Sequence, residues 1–286
     1  MPSVEINSSA FNAAPGVSLY FETSGNRESG KDILFVHGLG ASTRNWSDVR
    51  SHFERAHRVT LLDLKGHGCS SRPRDGDYSL DQQAGLLLAF LANHFSEAPL
   101  IIAHSYGGAV VLLALVKQHR EGRPLSASGL VLVDVPAYPQ PLPFFLKALH
   151  NPILNRIVSF LPARVQVEFR LKKSFFDHSK LTPTIIDRYV DVMKAPNSHY
   201  ALALAARQMM PPDIDLYLEG IRRLEVPTLL VWGQNDTVVP LRTAQRLQSD
   251  LKTCVLEVIN SCGHVPQQER PEEFIRVVQE YLDKVR

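Results

Sequence analysis

Apolar residues cluster in short runs at 17–22, 32–36, 58–62, 100–103, 129–133, 228–232 and 254–259. Several are continuous Val, Ile and Leu without polar alternation, the pattern of strands covered on both faces of a parallel sheet. Between them, apolar positions recur with helical spacing over 42–53, 80–93, 107–118, 240–251 and 271–284. Strand alternating with helix predicts an α/β class fold, a mostly parallel sheet flanked by helices.

The alternation stops at Pro136. From 137 to 220 only helical patterns appear, opened by Pro139, Pro141 and Pro143 and continued by Phe144, Phe145, Leu149, Ile153, Leu154, Ile157 and Val158. Further helices are predicted at 183–194, 198–209 and 213–222. The sheet resumes at Val226-Pro227-Thr228. The predicted organisation is a core of 1–136 and 221–286 with a helical cap, 137–220, inserted between core strands. Such an insert is expected over the C-terminal strand ends, where open α/β sheets bind ligands. Its Phe144, Phe145, Phe160, Phe169, Phe175, Phe176, Met209 and Met210 are expected mainly to form the cap's own core; any that line the cleft would favour an apolar substrate.

Composition narrows the function classes. Of 286 residues, 44% are hydrophobic and 21% charged, with net charge +2. Lys and Arg are scattered, so no nucleic-acid stripe or polybasic membrane patch stands out. The polar start, 1–11, has no apolar signal region, and no apolar run is long enough to span a bilayer; 109–116 reads as a buried helix. Three cysteines without regular spacing argue for a reducing compartment, so a cytoplasmic location is expected. No metal-ligand or nucleotide motif is present, and neither metal nor cofactor is expected.

Three residues carry the candidate chemistry. Ser105 follows the strand 100–103 and opens a helix at Gly107-Gly108-Ala109. A serine hydroxyl needs a base to take its proton and a carboxylate to hold that base. His264, in Gly263-His264-Val265, supplies an imidazole after the run 254–259. Asp236 supplies a carboxylate after strand 228–232. Asp134, at the end of strand 129–133, is a rival acid. Ser261-Cys262-Gly263 also fits Ser-x-Gly, but without a strand-turn-helix around it. His37-Gly38-Leu39-Gly40 follows a strand and offers the N–H of Leu39 to a developing oxyanion, beside the N–H of Tyr106. His37 is expected to organise that loop, and His104 to point away from the site. Cys262 reads as a small loop residue.

The order Ser, Asp, His and these motifs resemble the α/β-hydrolase superfamily, in its cap-bearing branch, over nearly the whole chain. Ala103 replaces the first glycine of its Gly-x-Ser-x-Gly elbow. The stretches Asp63-Leu64-Lys65-Gly66-His67-Gly68-Cys69-Ser70, 233–240 and 263–266 resemble its structural turn, acid loop and histidine loop. A serine at the elbow argues against haloalkane dehalogenases and epoxide hydrolases of this fold, which use aspartate. The resemblance implies hydrolysis of a small-molecule, ester-like substrate by a monomer or homodimer. Carbon–carbon hydrolases of the meta-cleavage type are the alternative. They usually carry a more glycine-rich oxyanion loop and an aromatic residue after the histidine, where this chain has Val265. A receptor on a hydrolase scaffold is the reading of another class.

Overall fold

The computed structural model describes residues 6–25, 30–141, 146–147 and 150–284. Pro143, Phe144, Phe145 and Leu149 lie outside the described residues. Eight strands form one sheet in the order β1-β2-β4-β3-β5-β6-β7-β8. These are β1 (Asn7–Ala14), β2 (Val17–Gly25), β3 (Asp32–Val36), β4 (Arg58–Leu62), β5 (Leu100–His104), β6 (Gly129–Val133), β7 (Thr228–Gly233) and β8 (Cys254–Ile259). β1 and β2 pair antiparallel, as do β2 and β4; the other pairs are parallel.

β5, β6 and β7 are buried at every residue, as their unbroken apolar runs require. β8, at the edge, alternates exposure instead. Helices α2 (Leu80–His94) and α3 (Tyr106–Arg120) contribute Phe90, Val110, Leu112 and Leu115 to the core on one face of the sheet. The short α1 (Arg50–Phe53) lies on the other face with the C-terminal Pro271–Lys284 helix. That helix buries Phe274, Val277, Val278, Tyr281 and Leu282, the apolar stripe of an amphipathic helix.

After β6 come α4 (Pro152–Val158), α5 (Ala163–Ser174), α6 (Pro183–Lys194), α7 (Ser198–Arg207) and α8 (Ile214–Arg223), with no intervening strand among the described residues. Val167, Leu171 and Phe175 of α5 and its end pack with Ile185, Tyr189 and Met193 of α6. The same cluster takes in Ala41 and Val265, from the loops after β3 and β8. This packing seats the helices over the C-terminal ends of the sheet. Arg188 pairs with Asp48 at 2.5 Å and Arg44 with Asp191 at 2.6 Å across the same junction. α8 behaves differently. It buries Tyr217 and Ile221 in the main core, and a Cβ on Gly220 would stand 2.4 Å from Val116. Residue 220 therefore lies inside a helix that packs on α3.

The aromatic content of this insert faces solvent more than expected. Phe160 is 79% exposed, Phe169 48% and Phe176 51%, whereas Phe175 is buried. Among the described residues, no helix is long and apolar enough to cross a membrane.

Candidate active site

Ser105 sits where β5 turns into α3. Its φ of 49° and ψ of −122° are a conformation that L-residues rarely adopt, costing on the order of 1–3 kcal/mol. Neighbours hold it there. The Ser105 N–H donates to Val133 O of β6 at 2.8 Å, and its carbonyl accepts from Gly108 at 2.9 Å. The strand and helix backbones approach so closely that a Cβ on Gly107 would lie 2.4 Å from His37 O. Ala103, which replaces the elbow's first glycine, fits as a fully buried strand residue.

His264 Nε2 lies 2.9 Å from Ser105 Oγ, and His264 Nδ1 lies 2.7 Å from Asp236 Oδ2. The carboxylate orders the ring with Nδ1–H toward Asp236, leaving the Nε2 lone pair for the serine proton. Asp236 Oδ1 accepts from the N–H groups of Val238 at 2.7 Å and Val239 at 3.0 Å. The loops of Asp236 and His264 touch: a Cβ on Gly233 would stand 1.8 Å from Gly263 O, so only glycine fits. The His264 main chain is also held by α5, because its backbone N–H donates to Ser174 O at 2.6 Å. Glu269, on the Pro266–Glu269 helix, accepts from Gly263 at 2.8 Å and from Asp177 at 2.6 Å, tying the histidine loop to the insert.

Asp134, the rival acid, ends β6 beside Asp236. Oδ1 accepts from Gly233 N–H at 3.0 Å, while the buried Oδ2 finds no donor. Burial first, then the Asp236 charge, pushes its pKa well above the ordinary carboxyl value. An ionised Asp134 would set two buried carboxylates together. The fold therefore favours protonated Asp134, and this contribution is lost as pH rises above the unfolded carboxyl value. Asp134→Asn mimics the neutral acid. In thermal unfolding from pH 4 to 8, its Tm relative to wild type should climb with pH, by the equivalent of about 1.4 kcal/mol per unit until native Asp134 ionises. A difference that stays flat would mean that Asp134 is ionised in the fold.

Gly38 passes so near Ser105 that a Cβ on it would lie 3.1 Å from the serine Cβ. Leu39 and Tyr106 line the same cleft, and neither backbone N–H is paired with an acceptor among the described residues. His37 is buried, and burial lowers its pKa to about 4. Its Nε2 accepts from Leu64 N–H at 3.1 Å and Nδ1 donates to Gly38 O at 2.8 Å, so neither nitrogen is free for acid–base work. His104 differs from expectation. Its ring packs 5.0 Å from that of His264, and Nε2 donates to the His264 carbonyl at 2.7 Å. Atoms of His104, Asp134 and His264 come within 4.8 Å of one another. They make a poor cation site, since both His264 nitrogens are engaged. Cys262 is fully buried, and burial raises its thiol pKa, which suits a packing residue.

The cleft above Ser105 has a volume of about 120 Å³ and is lined mainly by apolar side chains, including Leu39, Leu171, Leu202, Met209, Val238 and Val265. Met209 and Met210 reach it, while the exposed Phe160, Phe169 and Phe176 do not.

Residues 33–277 match the model of the alpha/beta hydrolase family. The chain belongs to that family. A protein of Pseudomonas putida named 2-hydroxy-6-oxononadienedioate/2-hydroxy-6-oxononatrienedioate hydrolase 2 is 27% identical over 263 residues, covering 89% of this chain and 88% of its own length. The solved structure of 2-hydroxy-6-oxo-6-phenylhexa-2,4-dienoate hydrolase from Rhodococcus sp. strain RHA1 superposes with TM-score 0.82 at 22% identity, over 98% of this chain and 100% of that one. A putative lipase from Acinetobacter baumannii AYE superposes with TM-score 0.80 at 22% identity, over 98% and 92%. At that identity the structural likeness concerns the α/β-hydrolase fold alone.

Two members of the site escaped the sequence. Glu269 reads as an ordinary helix-face acid, and nothing in its neighbourhood signals that its carboxylate joins two loops. Arg170, which lines the cleft, sits in the charged run Arg170-Leu171-Lys172-Lys173, where one partly buried arginine looks like its solvated neighbours.

Proposed function

We propose that this α/β-fold hydrolase is a serine hydrolase cleaving carboxylic esters of modest size through an acyl-enzyme. The reading rests on one observation above all: Ser105 Oγ is 2.9 Å from His264 Nε2, itself backed by Asp236, on the wall of an apolar cleft. His264 takes the Ser105 proton as Oγ bonds to the ester carbon. The N–H groups of Leu39 and Tyr106 receive the oxyanion, the latter at the start of α3 where the helix dipole favours negative charge. Collapse of this intermediate releases the alcohol, which leaves with the proton from His264. Water, deprotonated by the same imidazole, then frees the acid and restores Ser105. Asp236 holds the ring and balances the charge on the imidazolium. Residues 137–220 act as the cap that shapes the cleft, with α8 anchoring it to the core.

Carbon–carbon hydrolysis is the second reading, favoured by relatives named as hydrolases of oxo-dienoate compounds. The loop Gly38-Leu39-Gly40-Ala41 and Val265 weigh toward esters. A chain-length series of p-nitrophenyl esters, run beside a 2-hydroxy-6-oxo-dienoate, separates the readings. Short-chain esters should give the higher kcat/KM, undiminished by EDTA. A higher kcat/KM for the dienoate would replace the ester reading, and no turnover of either would favour a receptor.

A further inference from the structure

Arg170 is the one Lys or Arg among the described residues lining the cleft, and no Asp or Glu lines it. Its guanidinium lies against the oxyanion loop: a Cβ on Gly40 would stand 2.4 Å from Nη1. Its contacts are weak for a partly buried charge. Nη2 donates to Gly40 O at 3.3 Å, and the group stands 5.4 Å from the ring centre of Tyr189. No carboxylate among the described residues pairs with it, and burial lowers its pKa with only the Tyr189 phenol opposing. Elsewhere the chain matches such cations with acids, Lys65 with Asp75 at 2.7 Å and Arg50 with Glu54 at 2.7 Å. A partly buried guanidinium with spare N–H donors and no counter-charge is costly unless something brings an anion to it.

We propose that Arg170 receives a carboxylate of the substrate, so that the natural substrates are esters bearing a free carboxylate a few bonds from the scissile carbonyl. The proposal rests on the ester reading above. The planar fork suits a carboxylate, and a lone cation balances one negative charge, where a phosphate dianion would need more. The distance fits as well. Gly40, against the guanidinium, is two residues from Gly38, against Ser105, at most about 7 Å along the backbone. The anion therefore binds at the junction of α5 and the oxyanion loop, with the ester carbonyl beside it at Ser105.

The test compares kcat/KM for monoethyl succinate, glutarate and adipate with that for ethyl butanoate, pentanoate and hexanoate, following product acids by chromatography at pH 7.5. Wild type should prefer the best half-ester over its neutral counterpart by about tenfold or more, the range of a charge-assisted hydrogen bond. Arg170→Gln should bring the ratio to about one, and Arg170→Lys should keep part of it as a point charge without the fork. A wild-type ratio of one or below, or an unchanged ratio in Arg170→Gln, overturns the proposal. Circular dichroism checks each variant's fold, and the wild-type ratio decides if Arg170→Gln does not fold. Calorimetric binding of hexanoate and hexanol keeps the two readings separable. If neither ester series is hydrolysed, the ester reading falls. Hexanoate binding about tenfold tighter than hexanol would still support the Arg170 site, and equal binding would reject it.

Discussion

Ser105→Ala is expected to lower kcat by at least about 10⁴-fold while leaving the protein folded. The alanine keeps the Cβ and fits the same strained turn, so the loss isolates the hydroxyl. What remains should be the modest rate that oxyanion donors and binding give alone. Single-turnover measurements on the best p-nitrophenyl ester, with far-UV circular dichroism as the control, read both quantities. A variant retaining a tenth or more of the activity would move the chemistry elsewhere. Ser261 would then need scrutiny, since it too has a positive φ, of 48°, although no helix starts at the next residue.

The second large effect separates the two acids. Asp236→Asn should reduce kcat by about 10⁴-fold, because an amide no longer compels the His264 tautomer with Nδ1–H. The carboxylate contacts that ring at 2.7 Å, so the loss falls on ring orientation and on charge balance in the transition state. Asp134→Asn should cost less than about tenfold, since the asparagine can still accept from Gly233 N–H and brings no charge beside Asp236. Parallel kcat measurements decide between them. A crippled Asp134→Asn beside a mild Asp236→Asn would assign the acid to Asp134.

How far the sequence went depends on whether a feature is local. The strands read at 100–103 and 129–133 were legible because burial on both faces leaves an unbroken apolar run. β1 was missed: Asn7–Ala14 is an outer strand, largely exposed, and no apolar alternation marks it. α5 was missed for a related reason. Only Val167, Leu171 and Ser174 of its residues are buried, so its apolar stripe is too thin to show a helical period. Ser105 and His264 could be named because a strand, a glycine and a turn surround each. The sequence reading placed Asp236 ahead of Asp134 as the acid, but pattern alone does not separate them, since both end adjacent parallel strands. The choice depends on which carboxylate reaches Nδ1 and which is buried without a donor. Glu269 and Arg170 are further cases of this kind, because their roles come from segments that meet only in the folded chain.

Labelling with a fluorophosphonate, followed by peptide mapping, tests most directly whether His264 and Asp236 make Ser105 a nucleophile. One equivalent should attach to the Ser105 peptide of wild type, more slowly in Asp236→Asn, and none to Ser105→Ala. Stoichiometric label on any other residue, or undiminished labelling of Ser105→Ala, would contradict it.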